Sequence, residues 1–517
     1  MKAFFPKLLC LVVALVLVAV AAGPPGGGPM TFSQMDYVRP EVDRLPELSQ
    51  ACLDLAAEGA SPDQIMDKFL PFYEQYVSFT DNYCLSFIHY SADTTDEYWT
   101  EEYEYCSGKI PLVQGAMDDL LYGLADSDQR EALEDQRYLG EGFFDDYDGQ
   151  SVWTEAYTAL AEEETRLENR YYQLYSQSQD PFGEDYQEMA QIYVDLIHVR
   201  QDMALEAGHD SFQDYAYDYV YGRDYTADQA RTYLEEIGRE LSDLYGNLSA
   251  QVFEQGYAPS GREQTASYTR DMARQMGGVI LEAYQTMEAY ELYQLNTGAS
   301  TTGTSFEMFL PGYGVPYVFV SATGTVRDQL TFTHEFGHFC NDYAAGGSAV
   351  GIDVAEVFSQ GLEYLSLVFA PEGQALTQLK MADSLCVFVE QAAYAAFELE
   401  VYDLEDPTVE QVERVFQEVG ETYGFDSWGF SKEMYVAIPH FFTEPGYVIS
   451  YVVSNDAAMG IYQLELEGPG AGLALYQTAL TTGQEALLGF LDECGLESPF
   501  TAGHVAKLRR TLEQALG

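Results

Sequence analysis

The chain is predicted to be mainly α-helical with one small β insert, and three observations predict it. Hydrophobic residues make up 47% of 517 residues, and 41 Tyr plus 29 Phe supply enough aromatic surface for a large core. From about Met35 to Leu295 apolar residues recur at helical spacing behind recognisable caps. That pattern breaks convincingly only between Thr297 and Thr325, where Gly, Ser and Thr surround two β-rich runs.

The N-terminal segment stands apart. Lys2 and Lys7 precede an unbroken apolar run from Leu8 to Ala22, followed by GPPGGG at Gly23–Gly28. Fifteen apolar residues rise only about 22 Å as a helix, short of a hydrocarbon core of roughly 30 Å. A secretory signal over residues 1–22 fits better, with Ala19-Val20-Ala21 as cleavage site and an uncleaved anchor as the alternative. The expected location is extracellular or cell-surface. No later stretch is long and apolar enough to span a bilayer. The expected organisation is a spacer at 23–34, an N-terminal helical region at 35–180 and a second helical region at 181–517 that holds the HEFGH run.

Ser61-Pro62 starts a helix, with Ser as N-cap and Pro at the first position, leading into Ile65, Phe69, Leu70 and Tyr73. Thr226 and Gln229 form a capping box ahead of Ala230, Tyr233, Leu234 and Ile237 on one face. Asp406-Pro407 is a similar start for Val409, Val412, Val415, Phe416 and Val419. These faces read as core packing. Phe309-Leu310-Pro311 and Tyr317-Val318-Phe319-Val320 read as short strands, and a helical signal resumes at Asp328.

Acidic residues outnumber basic ones 84 to 24, a formal charge of −60. Such a surface repels phosphate backbones, which excludes nucleic acid as a natural partner and favours cations and basic peptides. Six cysteines follow the proposed cleavage site, and no CxxC pair exists. A thiolate zinc knuckle is therefore excluded, and no disulfide is assigned.

The chemistry concentrates in Thr333-His334-Glu335-Phe336-Gly337-His338. Positions four apart on a helix lie one above the other, so His334 and His338 can present two imidazoles to one ion. Glu335 adjoins the first ligand and can act as general base on a water activated there. With seven His in the chain, a chance pair at this spacing with Glu after the first is expected on the order of 0.01 times. A catalytic site needs a third ligand, and Asp353 to Glu363 supplies candidates. Glu356 is chosen as ligand, with Glu363 or Asp353 orienting a ligand imidazole.

The run from Pro316 to Glu363 (PYVFVSATGT, HEFGH, DVAEVFSQGLE) resembles the thimet oligopeptidase family of zinc peptidases, most closely its oligoendopeptidase F branch. The resemblance implies that His334, His338 and Glu356 hold one Zn2+ per chain, that Glu335 is the base, and that the strand before the metal helix binds substrate backbone. It continues at Ile438-Pro439-His440-Phe441-Phe442 and Pro445-Gly446-Tyr447-Val448-Ile449-Ser450-Tyr451, where His440, Tyr447 and Tyr451 match the family's oxyanion-binding positions. Upstream, Arg200 through Gly208 to Phe212 and Tyr215 is similar to a helical R-x(7)-G-x(3)-[FY] segment of the same branch. His89, His198, His209 and His504 carry no motif and read as structural or surface residues.

The resemblance implies two helical lobes flanking a deep channel, with a small β-sheet near the zinc. The implied activity is endopeptidase hydrolysis of short unfolded peptides, and the chain's charge favours cationic ones. The alternatives are a zinc carboxypeptidase or dipeptidase on the same scaffold, and an inactive exported helical binding protein.

Overall fold

The helix of the metal motif is packed into the interior by its own pattern, Leu330, Phe332, Phe336 and Phe339 all being buried. A computed structural model describes residues 30–516 of the protein, apart from 148–150, 179, 249, 348–349, 370–372, 426–428 and 482. The proposed signal and most of the spacer lie outside the described residues. No helix among those described is long and apolar enough to cross a membrane.

The architecture is mainly α, as expected. Helix α1 (Pro62–Ala92) is capped by Ser61 with Gln64 in a capping box. Helices α2 (Glu155–Gln177) and α3 (Tyr186–Glu206) pack together. Helix α4 (Ala227–Gly246) starts at the Thr226–Gln229 box. One continuous cluster of buried apolar side chains runs from Met35 to Leu512. The six described cysteines are all free, with Cys52, Cys84, Cys106 and Cys340 buried.

The sheet has three strands, β1 (Tyr293–Asn296), β2 (Phe306–Leu310) and β3 (Val315–Ser321), in the order β1-β3-β2. β1 pairs parallel to β3 with Tyr293 opposite Val318, and β2 pairs antiparallel with Phe306 opposite Phe319. One expectation changes here. The sheet begins four residues before the predicted insert, at Tyr293, in a strand too short to show alternation. β3, the strand the resemblance assigns to substrate backbone, is the middle strand. It pairs with β2 over Val315–Phe319 and with β1 over Val318–Ser321, so neighbours flank it on both sides only at Val318 and Phe319.

Beyond β3 the chain turns around Asp328, whose carboxylate accepts hydrogen bonds from the backbone N–H of Thr323, Gly324 and Thr325. This buried carboxylate fixes the start of α5 (Arg327–Ala345), the metal helix. Helix α6 (Ile352–Phe369) follows and is buried from Glu356 to Ser366 on every side, as a helix enclosed by others must be. Helices α7 (Gly373–Cys386), α8 (Ala392–Val401), α9 (Val409–Thr422) and the short α10 (Pro439–Thr443) lead to α11 (Ile449–Glu467). α9 begins two residues later than Asp406-Pro407 implied, because Thr408 and Gln411 form the capping box. The most extensive helix contacts in the chain are those of α6 with α11 and with α5.

Candidate metal centre

Gly337 explains how close α5 and α6 come. A Cβ at this position would lie 2.6 Å from both the Phe358 carbonyl oxygen and the Ser359 Cα. The glycine inside the motif therefore lets the two backbones touch beside the imidazoles. At that crossing His334, His338 and Glu356 converge, with one ligand atom of each within 4.8 Å of the others. Glu356 Oε2 lies 3.4 Å from His334 Nε2 and 3.6 Å from His338 Nε2. This is the only such group of metal-ligating side chains found among the described residues.

The donors are oriented from behind. His334 Nδ1 is 2.8 Å from Glu363 Oε1, which turns Nε2 toward Glu356, and Lys380 Nζ on α7 donates to Glu363 Oε2 at 2.8 Å. Between the two carboxylates considered, Glu363 holds the imidazole. Asp353 faces elsewhere, accepting from Tyr225 Oη and Ser450 Oγ beside the Arg223 guanidinium. Glu356 is itself held by Ser359 Oγ on Oε2 at 2.9 Å and by Tyr447 Oη on Oε1 at 2.6 Å. A two-histidine, one-carboxylate set, with its imidazole tautomer fixed by a second carboxylate, suits zinc in both donor type and number.

Glu335 is buried on α5 at 5% exposure, and its charge helps to raise the Tyr451 phenol, after burial and Glu356. His440, Tyr447 and Tyr451 form a cluster beside it. The Tyr447 and Tyr451 rings meet edge-on at 5.0 Å, and Tyr451 Oη lies 3.4 Å from His440 Nε2. Burial, then Glu356, pushes the Tyr447 phenol well above its usual range, so it remains a neutral donor. The structure thus brings together all seven residues singled out in the sequence. It places the Tyr447 hydroxyl on Glu356, a bond between residues 91 apart that no local pattern could disclose.

Arg200 anchors this wall. Fully buried on α3, it donates to Glu164 and Glu168 of α2, to Tyr402 Oη, and to the carbonyls of Phe441 and Phe442, next to His440. Gln360 Nε2 ties α6 to α11 through Ser454 Oγ at 2.7 Å. The other histidines play structural parts: His89 stacks on Trp99 at 4.1 Å, and His504 bonds Asp456 at 2.7 Å.

The family model of the peptidase M3 N-terminal domain matches residues 32–151. No curated protein sequence matches the chain. Among solved structures, PZ peptidase A with an inhibitor superposes with a TM-score of 0.82 at 18% identity, covering 94% of this chain and 99% of that one. A Bacillus anthracis protein provisionally assigned as an oligoendopeptidase F gives 0.78 at 19%, covering 95% and 98%. The oligoendopeptidase F of Enterococcus faecium gives 0.60 at 14%, covering 92% and 97%. The resemblance read from the sequence is thereby borne out: residues 32–151 match the model of a peptidase M3 N-terminal domain, and the chain has the helical fold of the oligoendopeptidase F structures.

Proposed function

We propose that the protein is a zinc-dependent endopeptidase acting on internal bonds of short unfolded peptides. The observation that carries this reading is the convergence of His334, His338 and Glu356, with Glu363 fixing the first imidazole. His334 and His338 would hold the zinc through imidazole nitrogens and Glu356 through a carboxylate oxygen. When bound, the ion supplies Lewis acidity, polarising the scissile carbonyl and making a water acidic enough to attack.

The remaining steps belong to side chains of this chain. Glu335 takes the proton of the attacking water on a carboxylate oxygen and passes it to the leaving amine. Tyr447, in the geometry described, holds Glu356 in place. Tyr451 with His440 presents the donors next to it, and a neutral O–H or N–H aimed at the developing oxyanion stabilises it by about 3–4 kcal/mol. The endopeptidase reading is preferred over terminal trimming because the two buried guanidiniums at this wall are engaged within the protein, Arg200 by Glu164, Glu168, Tyr402 and the Phe441 and Phe442 carbonyls, and Arg223 by Asp353, Ser450 and the Gly446 carbonyl. Export directed by residues 1–22 and a preference for cationic peptides, arising from the charge of −60, complete the proposal.

The deciding experiment is metal analysis combined with a blocked decapeptide assay of the wild type and Glu335→Gln. Zinc near one per chain, internal cleavage, and a loss of at least about 10²-fold in the variant are expected. Zinc retained with turnover unchanged by the substitution would contradict the mechanism.

A further inference from the structure

A cavity of about 110 Å³ lies between α2, α3 and the segment 212–221. Two residues on its wall link it to the metal group. Tyr221 donates from Oη to the Pro445 carbonyl at 3.0 Å, and its ring centroid is 6.5 Å from that of Tyr447, whose hydroxyl rests on Glu356. The space exceeds what a few waters need, so it can take one side chain of a peptide.

The lining decides which. Rings of Tyr76, Trp153, Tyr157, Phe212, Tyr219 and Tyr221 face it, together with the carboxylates of Asp118 and Glu164. Among the described residues, Arg200 is the only cationic side chain lining it. All five of its N–H donors are directed at Glu164, Glu168, Tyr402 and the Phe441 and Phe442 carbonyls. An anionic group entering here would meet no uncommitted cation and a surplus of negative charge. A cationic group would meet aromatic faces, which attract it through their quadrupoles, and the Asp118 carboxylate.

We propose that this cavity is a recognition pocket for a cationic group of the peptide, either a Lys or Arg side chain or a free N-terminal ammonium, with Asp118 and Trp153 determining the preference. The identity of the ligand as a peptide rests on the endopeptidase reading; the preference for positive charge rests on the lining alone.

The test uses zinc-loaded Glu335→Gln protein and calorimetric titration with doubly blocked decapeptides. In these, one residue is Lys or norleucine at each position in turn, and an unblocked norleucine peptide is added. At one position the Lys peptide should bind about tenfold more tightly than its norleucine partner. Asp118→Asn and, independently, Trp153→Leu should each reduce that ratio below about threefold while leaving norleucine binding within about twofold. Tight binding regained by the unblocked norleucine peptide assigns the pocket to the terminal ammonium; its absence assigns it to the side chain. Equal binding of the Lys, norleucine and unblocked peptides, a ratio that survives both substitutions, or no peptide binding at all overturns the proposal. A charge ratio that holds while wild-type protein cleaves no peptide removes the peptidase reading and leaves the pocket. Cleavage without any ratio removes the pocket and leaves the peptidase.

Discussion

Glu356 is gripped from three directions, by Ser359, by Tyr447 and by the imidazoles it faces. The geometry separates the roles of two tyrosines four residues apart, Tyr447 just before α11 and Tyr451 in its first turn. Tyr447→Phe removes the bond to Glu356, so zinc affinity is expected to fall about tenfold in a metal-buffer titration. Tyr451→Phe should keep zinc and lose about 10²-fold in kcat. A second residue-scale expectation concerns Glu398 on α8. Its Oε1 accepts from the Gly446 N–H at 2.8 Å, and burial pushes the carboxyl up to about 8, against that hydrogen bond and the nearby Arg200 and Arg223. Between about pH 4.5 and about pH 8 the folded chain therefore keeps a proton that the unfolded chain has lost, so this group lowers stability as pH rises through that window. Glu398→Gln should raise unfolding free energy by a few kcal/mol at about pH 8.5 and leave it nearly unchanged at about pH 4.5, measured by urea denaturation. At this scale His334, Glu335 and His338 were legible because one helix carries them at one spacing. Glu363 and Asp353 could not be told apart, since both lie on the same helix as Glu356 and only the packing of α7 and of Arg223 separates them.

Helices α5 and α6 behave as a unit because a glycine lets them touch. Gly337→Ala would force a methyl to within 2.6 Å of the Phe358 carbonyl, and neither neighbour is a flexible side chain. The backbones must part, with an expected loss of about 1–3 kcal/mol seen as a lower Tm, and of zinc affinity with it. The elements with local punctuation were legible: the boxes at Ser61 and Thr226 mark helix starts as observed. β1 was not, because four residues cannot show a period, and its pairing with β3 joins segments separated by β2. The central place of β3 was equally hidden, since strand order is a property of the sheet and not of any one strand.

The molecule as a whole carries a charge of −60. Its field should raise the encounter rate of cationic peptides, and screening should remove that gain. For a Lys-rich peptide kcat/KM is expected to fall severalfold between about 50 and about 500 mM salt, while an uncharged analogue changes less than twofold. Steady-state assays of the pair at both salts check it. Composition made this charge plain from the start. What composition could not show is where opposite charges are enclosed, such as Arg200 beneath the Phe441 and Phe442 carbonyls or Lys380 behind Glu363.

None of the six described thiols is paired, and four of them are closed off from water. Among the described residues, no cross-link depends on the redox poise of the surroundings. Dithiothreitol has no cross-link among them to cut, and oxidants can approach only Cys386 and Cys494, both only partly covered.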